Sequence, residues 1–100
     1  MSYSVTLIKN VPVNLTAEET HAAEAAAMKI LSQYPEWLLR AAYKDNMALL
    51  EEGVSHAERG ESAWRRIEDE AREAALRALR VDEWHDPNGA PGIEVWFSDD

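Results

Sequence analysis

The sequence has no cysteine, only four glycines and four prolines, and a single phenylalanine in 100 residues. Without cysteine there are no disulfides, no thiolate zinc sites and no cysteine-held iron–sulfur clusters, which fits a reducing compartment. Gly53, Gly60, Gly89 and Gly92 are scattered, so no glycine-rich loop of the phosphate-cradling kind is present. No run approaches the ~18 apolar residues of a membrane-spanning helix, so no membrane partner is expected. The opening residues Met1-Ser2-Tyr3-Ser4 put no cationic segment ahead of an apolar one. No signal peptide is therefore expected, and the expected location is the cytoplasm. Bases are scarce as well: 10 Lys and Arg stand against 19 Asp and Glu, a formal net charge of −9. A chain of that sign repels phosphate backbones, so direct nucleic-acid binding is not expected.

What is present is 46% hydrophobic residues, enough for a modest core and one domain over residues 1–100. The charge is uneven. Residues 1–44 balance, and so do residues 61–80 with five acids and five arginines. Residues 45–60 carry Asp45, Glu51, Glu52 and Glu58 against Arg59. Residues 81–100 carry Asp82, Glu83, Asp86, Glu94, Asp99 and Asp100 with no base. That last segment also holds Trp84, Ile93, Val95, Trp96 and Phe97, which is unlike a disordered acidic tail.

Periodicity predicts a strand at residues 3–8 with Tyr3, Val5 and Leu7 on one face. Thr16 followed by Glu19 is a capping-box pattern and starts a helix running to about Gln33, with Ala23, Ala26, Ala27, Ile30 and Leu31 on one face. Pro35 opens a second helix, to about Glu52, whose inner face is Leu39, Ala42, Tyr43, Met47 and Leu50. Gly53 suits its C-terminal cap. Ser55 with Glu58 is a second capping box. The third helix either starts at Ser55 and runs through Gly60, or breaks there and restarts at Ser62. Its seam is Ala57, Gly60, Trp64, Ile67, Ala71 and onward through Ala75 and Ala78. Its outer face carries alternating pairs such as Glu61–Arg65–Asp69, Glu68–Arg72 and Glu73–Arg77, worth about 0.2–0.5 kcal/mol each. These pairs account for the arginines without an anionic partner. Residues 86–91 read as a loop, and residues 92–97 as a second strand with Ile93, Val95 and Phe97 opposite Glu94 and Trp96. The predicted fold is α+β: β-α-α-α-β, with the terminal strands paired on or beside a three-helix core.

Sequence chemistry is sparse. His21 and Glu24 have helical i, i+3 spacing, but the second copy that a carboxylate–histidine metal site needs is missing, so no metal and no cofactor are expected. No Gly-x-Ser-x-Gly occurs, and Ser55-His56 are neighbours in sequence only, so no enzymatic activity is expected. Asn14-Leu15-Thr16 fits the glycosylation pattern by chance, since Thr16 is used as a cap. Of the four tryptophans, Trp64 belongs to the helical seam and Trp37 is expected to close the corner between the first two helices. Trp84 and Trp96 lie among the C-terminal acids, where tryptophan serves as an interface anchor.

In size and charge, and in composition only, the chain resembles the small acidic inhibitors of phages and mobile elements, among them anti-CRISPR and anti-restriction proteins. The resemblance implies a non-enzymatic protein that blocks or modulates a protein partner by surface contact, with carboxylates standing in for phosphates against a basic, nucleic-acid-binding surface. The candidate contact residues are Asp82, Glu83, Trp84, Asp86, Glu94 and Trp96, with Glu51, Glu52 and Glu58 as a second acidic patch. Charge would steer association and tryptophan would anchor it. The alternatives are a homo-oligomeric structural or adaptor protein, such as a homodimer joined through strand edges or alanine-rich faces, and a small-ligand sensor.

Overall fold

Alternating apolar residues at the two ends of the chain make two strands that find each other. In the computed structural model, which describes residues 2–8, 15–79 and 92–98, β1 (Ser2–Ile8) pairs antiparallel with β2 (Gly92–Ser98). The register sets Tyr3 opposite Phe97, Val5 opposite Val95 and Leu7 opposite Ile93. One face of this ribbon is therefore apolar throughout, as the alternation predicts. Two strands alone are marginal in water. Here the ribbon lies with that face on the helices, and Val5, Leu7, Ile93 and Val95 are buried.

Between the strands run α1 (Ala17–Leu31), α2 (Glu36–Glu51), the one-turn α3 (His56–Arg59) and α4 (Ala63–Ala78). The α+β architecture is as predicted, with the third helix divided. Thr16 caps α1: its hydroxyl accepts the Glu19 N–H at 3.1 Å and the Glu19 carboxylate accepts the Thr16 N–H at 3.2 Å. Pro35 stands at the α2 N-cap. Glu52 closes α2, and Gly53 at φ +79° donates to the Leu50 carbonyl while Val54 donates to that of Leu49. This is a Schellman ending, and it needs the left-handed glycine.

The break at Gly60 settles the third helix. Gly60 has φ +61° and ψ −141°, a conformation that L-residues rarely adopt, so α3 ends there and Ser62 caps a new helix by accepting the Arg65 N–H. Close packing at Gly60, the other reading of the seam, does not occur among the described residues: a Cβ there would meet none of their atoms within 4 Å. Ala57 and Ala78 are likewise exposed, which trims the predicted seam to Trp64, Ile67, Ala71 and Ala75.

The core is densest between α1 and α4. Ala23, Ala27 and Leu31 meet the seam of α4, and these three together with Ala71 and Ala75 have no exposed surface at all. Methyl side chains let two backbones approach, and alanine's propensity keeps both helices intact. Leu39 and Ala42 of α2 complete the core. A ring cluster joins α2, α4 and the sheet: Tyr43 lies 5.3 Å from Trp64 edge-on and 4.9 Å from Phe97, and Tyr3 lies 5.9 Å from Phe97. Trp64 is buried, as its place on the seam predicts.

Trp37 is a correction. It is 70% exposed and does not close the α1–α2 corner. The buried stripe of α2 is Leu39, Ala42 and Asn46, and Trp37 sits two residues from Leu39, about 200° around the helix. It projects beside Arg40 and Lys44 instead. The corner is held by Tyr34, whose hydroxyl donates to the Glu70 carboxylate of α4 at 2.5 Å. That bond, more than burial, holds the Tyr34 phenol above its ordinary pKa.

Candidate functional site: a groove between α2 and β2

Met47 and Leu50, predicted for the inner face of α2, are exposed instead. They lie on the flank next to the buried Leu39–Ala42–Asn46 stripe, and no described element covers that flank. With Tyr43 they form one side of a groove of ≈ 330 Å³ whose other side is β2. Buried Trp64, Ile93 and Val95 make its floor. Ile8, Met47, Leu50 and Trp96 make its exposed apolar rim, Trp96 at 55% exposure.

Backbone register explains how the strands reach this groove. Tyr3, Val5 and Leu7 point into the core, so Ser4, Thr6 and Ile8 point out, and Trp96 and Glu94 stand opposite Ser4 and Thr6 on that outer face. Gly92, opposite Ile8, offers no side chain.

Charge in the groove is of one sign among the described lining residues: Glu68 and Glu94. Burial, and next the neighbouring Asp69, hold the Glu68 carboxyl above its ordinary pKa, while Arg72, a hydrogen bond from Trp64 and Arg59 pull the other way. Asn46, a buried polar residue, accepts a hydrogen bond at Oδ1 from Arg59 Nη1. The Nε and Nη2 atoms of Arg59 are buried and meet no hydrogen-bond partner among the described residues.

Of the predicted contact residues, Glu94 and Trp96 come together in this groove. Glu51 and Glu52 are exposed at the end of α2, next in sequence to Leu50. Glu58 is committed locally: its carboxylate accepts the Ser55 N–H at 3.0 Å, and its hydrogen bonds to Ser55 hold its pKa below the ordinary value. Asp82, Glu83, Trp84 and Asp86 lie outside the described residues. Besides the expected core residues of its floor and side, the groove residues that sequence reasoning missed are Ile8, Asn46, Met47, Leu50 and Glu68, the last expected on the outer, ion-paired face of the third helix. One signal was available, an isoleucine on the same strand face as Ser4 and Thr6.

Other candidates resolve into structural roles. Glu24 accepts the Leu7 backbone N–H at 3.2 Å, which ties α1 to the sheet. Among the described residues no three His, Asp or Glu side chains are placed to share a metal ion. No helix of the described residues is long and apolar enough to cross a membrane. The outer face of α4 carries an ion pair between Arg72 and Asp69 at 3.3 Å, spaced i, i+3. Compared with known proteins, the chain matches no family model, and neither the curated proteins nor the solved structures gave a significant match.

Proposed function

We propose that this chain is a small, acidic, non-enzymatic binding protein that blocks or modulates a protein partner by surface contact, and that the α2–β2 groove is its contact surface. One observation carries this reading. Four of the five large hydrophobic residues exposed among the described residues, Ile8, Met47, Leu50 and Trp96, line a single groove. Isolated exposed hydrophobics are ordinary, but a contiguous apolar patch rimmed by charge is the usual character of an interaction site. Exposed tryptophan next to carboxylate supplies an anchor and a steering charge together. Phosphate mimicry is a narrower form of this idea: four of its nine candidate residues lie outside the described residues, and Glu58, though it caps α3, is exposed and held anionic by its hydrogen bonds to Ser55.

Affinity capture from the native host, quantified by mass spectrometry, tests the proposal. Trp96→Asp and Leu50→Asp are expected to lose a partner held by the unmodified chain, with helical circular dichroism unchanged. Trp37→Asp, at a more exposed tryptophan outside the groove, is expected to keep it. Retention of the partner by both groove variants sinks the proposal.

A further inference from the structure

The two edges of the sheet are not equivalent. The Leu7 N–H points out of the ladder to Glu24 of α1, so Leu7 and Ile93 form a non-hydrogen-bonded pair. By the alternation of an antiparallel ladder, the N–H and C=O groups of Ile93, Val95 and Phe97 then point away from β1, along the opposite edge of the ribbon. At Leu7 the β1 edge is stoppered by a carboxylate. The β2 edge has no strand partner among the described residues. Ile93, Glu94, Val95 and Trp96, consecutive residues of β2, all line the groove.

We infer that the groove takes an extended segment of its partner, carrying alternating apolar and Lys or Arg residues, which adds as a third strand to the edge of β2 that no described strand pairs. This inference rests on the groove being the contact surface and says how it is used. A row of outward backbone groups is a template for strand addition, and pockets for alternate side chains give the specificity. On the inner side of the added strand, every second residue would meet the apolar floor of Trp64 and Val95 between α2 and β2. On the outer side, the remaining residues would lie beside Glu94 and Trp96, which suit a cation through charge and through the indole face. Charge complementarity selects the occupant: the charged residues described in the groove are both acidic, and the chain as a whole carries −9. A second copy would bring that same charge and another Glu94 to the same edge.

The test uses the full chain and a synthetic peptide of about eight residues, the reach of a strand such as β2, alternating valine with lysine. Three control peptides accompany it: one with lysine replaced by glutamate, one N-methylated at every second residue, and one with the order scrambled. Amide hydrogen exchange is followed residue by residue. The valine–lysine peptide is expected to bind more weakly as salt rises and to slow exchange at Ile93, Val95 and Phe97 by at least about tenfold. The glutamate, N-methylated and scrambled peptides are expected not to bind. Absence of binding by the valine–lysine peptide, binding without protection at these amides, or equal binding of the N-methylated peptide overturns the inference. Protection of the same amides in the free protein, rising with its concentration together with a dimer in sedimentation, overturns it in favour of a second copy. Loss of the captured partner in Trp96→Asp alongside a failed peptide experiment rejects strand addition and leaves the groove as contact surface. Retention of the partner in both Trp96→Asp and Leu50→Asp rejects the groove itself.

Discussion

The α1–α4 seam and the α2–β2 groove are both apolar, and both use α4, yet one is closed and the other open. Along the seam, Ala23 and Ala27 face the stripe that holds Ala71 and Ala75, and nothing is left for solvent. Along the groove, Met47 and Leu50 are larger than anything on the seam's alanine rows, and the described residues present no helix or strand to cover them. Small side chains allow close approach and complete burial. Large ones buried by a second element would stabilise the fold, but on an uncovered flank they keep surface available for another chain. The difference separates two uses of hydrophobic residues in one small domain: the seam holds the fold together, and the groove is proposed to hold something else.

The sharpest way to break this distinction is a matched pair of leucine truncations on the same helix. Leu39 is 1% exposed and Leu50 44% exposed. Leu39→Ala is expected to cost about 2–5 kcal/mol in urea unfolding, from lost transfer energy and the cavity left behind. Leu50→Ala is expected to cost under about 1 kcal/mol, because its surface already faces water. Equal losses would mean that the groove belongs to the core.

Overpacking probes the seam directly. Ala71→Leu is expected to destabilise by about 1–3 kcal/mol, since helices held together by methyl groups must separate or distort to admit three more carbons. Stability unchanged in thermal or urea unfolding would show that the seam has slack.

The smallest effect concerns Glu68, which stands on the seam helix and lines the groove. Its carboxyl pKa is raised in the fold, chiefly by burial. The folded state therefore holds this proton more tightly than the unfolded one. The contribution to stability is full below the unfolded pKa and is lost as pH rises through the raised, folded pKa. Glu68→Gln is expected to remove that loss and to flatten the stability profile as pH rises above the ordinary glutamate range, measured by urea unfolding. A profile unchanged in slope would place Glu68 in contact with water.

Much of this architecture is local and is legible in the order of residues. Thr16–Glu19 and Ser55–Glu58 read as caps because a short hydroxyl and a glutamate three residues on can satisfy two orphan N–H groups. The inward faces of both strands follow from a period of two, and Trp64 follows from the helical period. Trp37 departs from expectation because nearness to Pro35 suggests a corner, while its angle from Leu39, which the sequence does contain, turns it outward. Met47 and Leu50 depart from it for a different reason: helical spacing identifies an apolar face but not whether anything covers it. The candidate site is legible only at Glu94 and Trp96, through their outward register.

By itself, then, the sequence determined the caps, the break at Pro35, the strand faces and the buried alanines of the seam, because each depends on residues within a turn or two of one another, while at Gly60 it left two readings open. The tertiary structure alone decided three things. It chose which flank of α2 stays open. It brought Ile8 and Trp96, from opposite ends of the chain, to one groove. It stoppered the β1 edge at Leu7 with Glu24 and gave β2 no further strand among the described residues. Coverage and edge pairing are relations between distant segments, set by how whole elements pack, and local propensity carries no record of them.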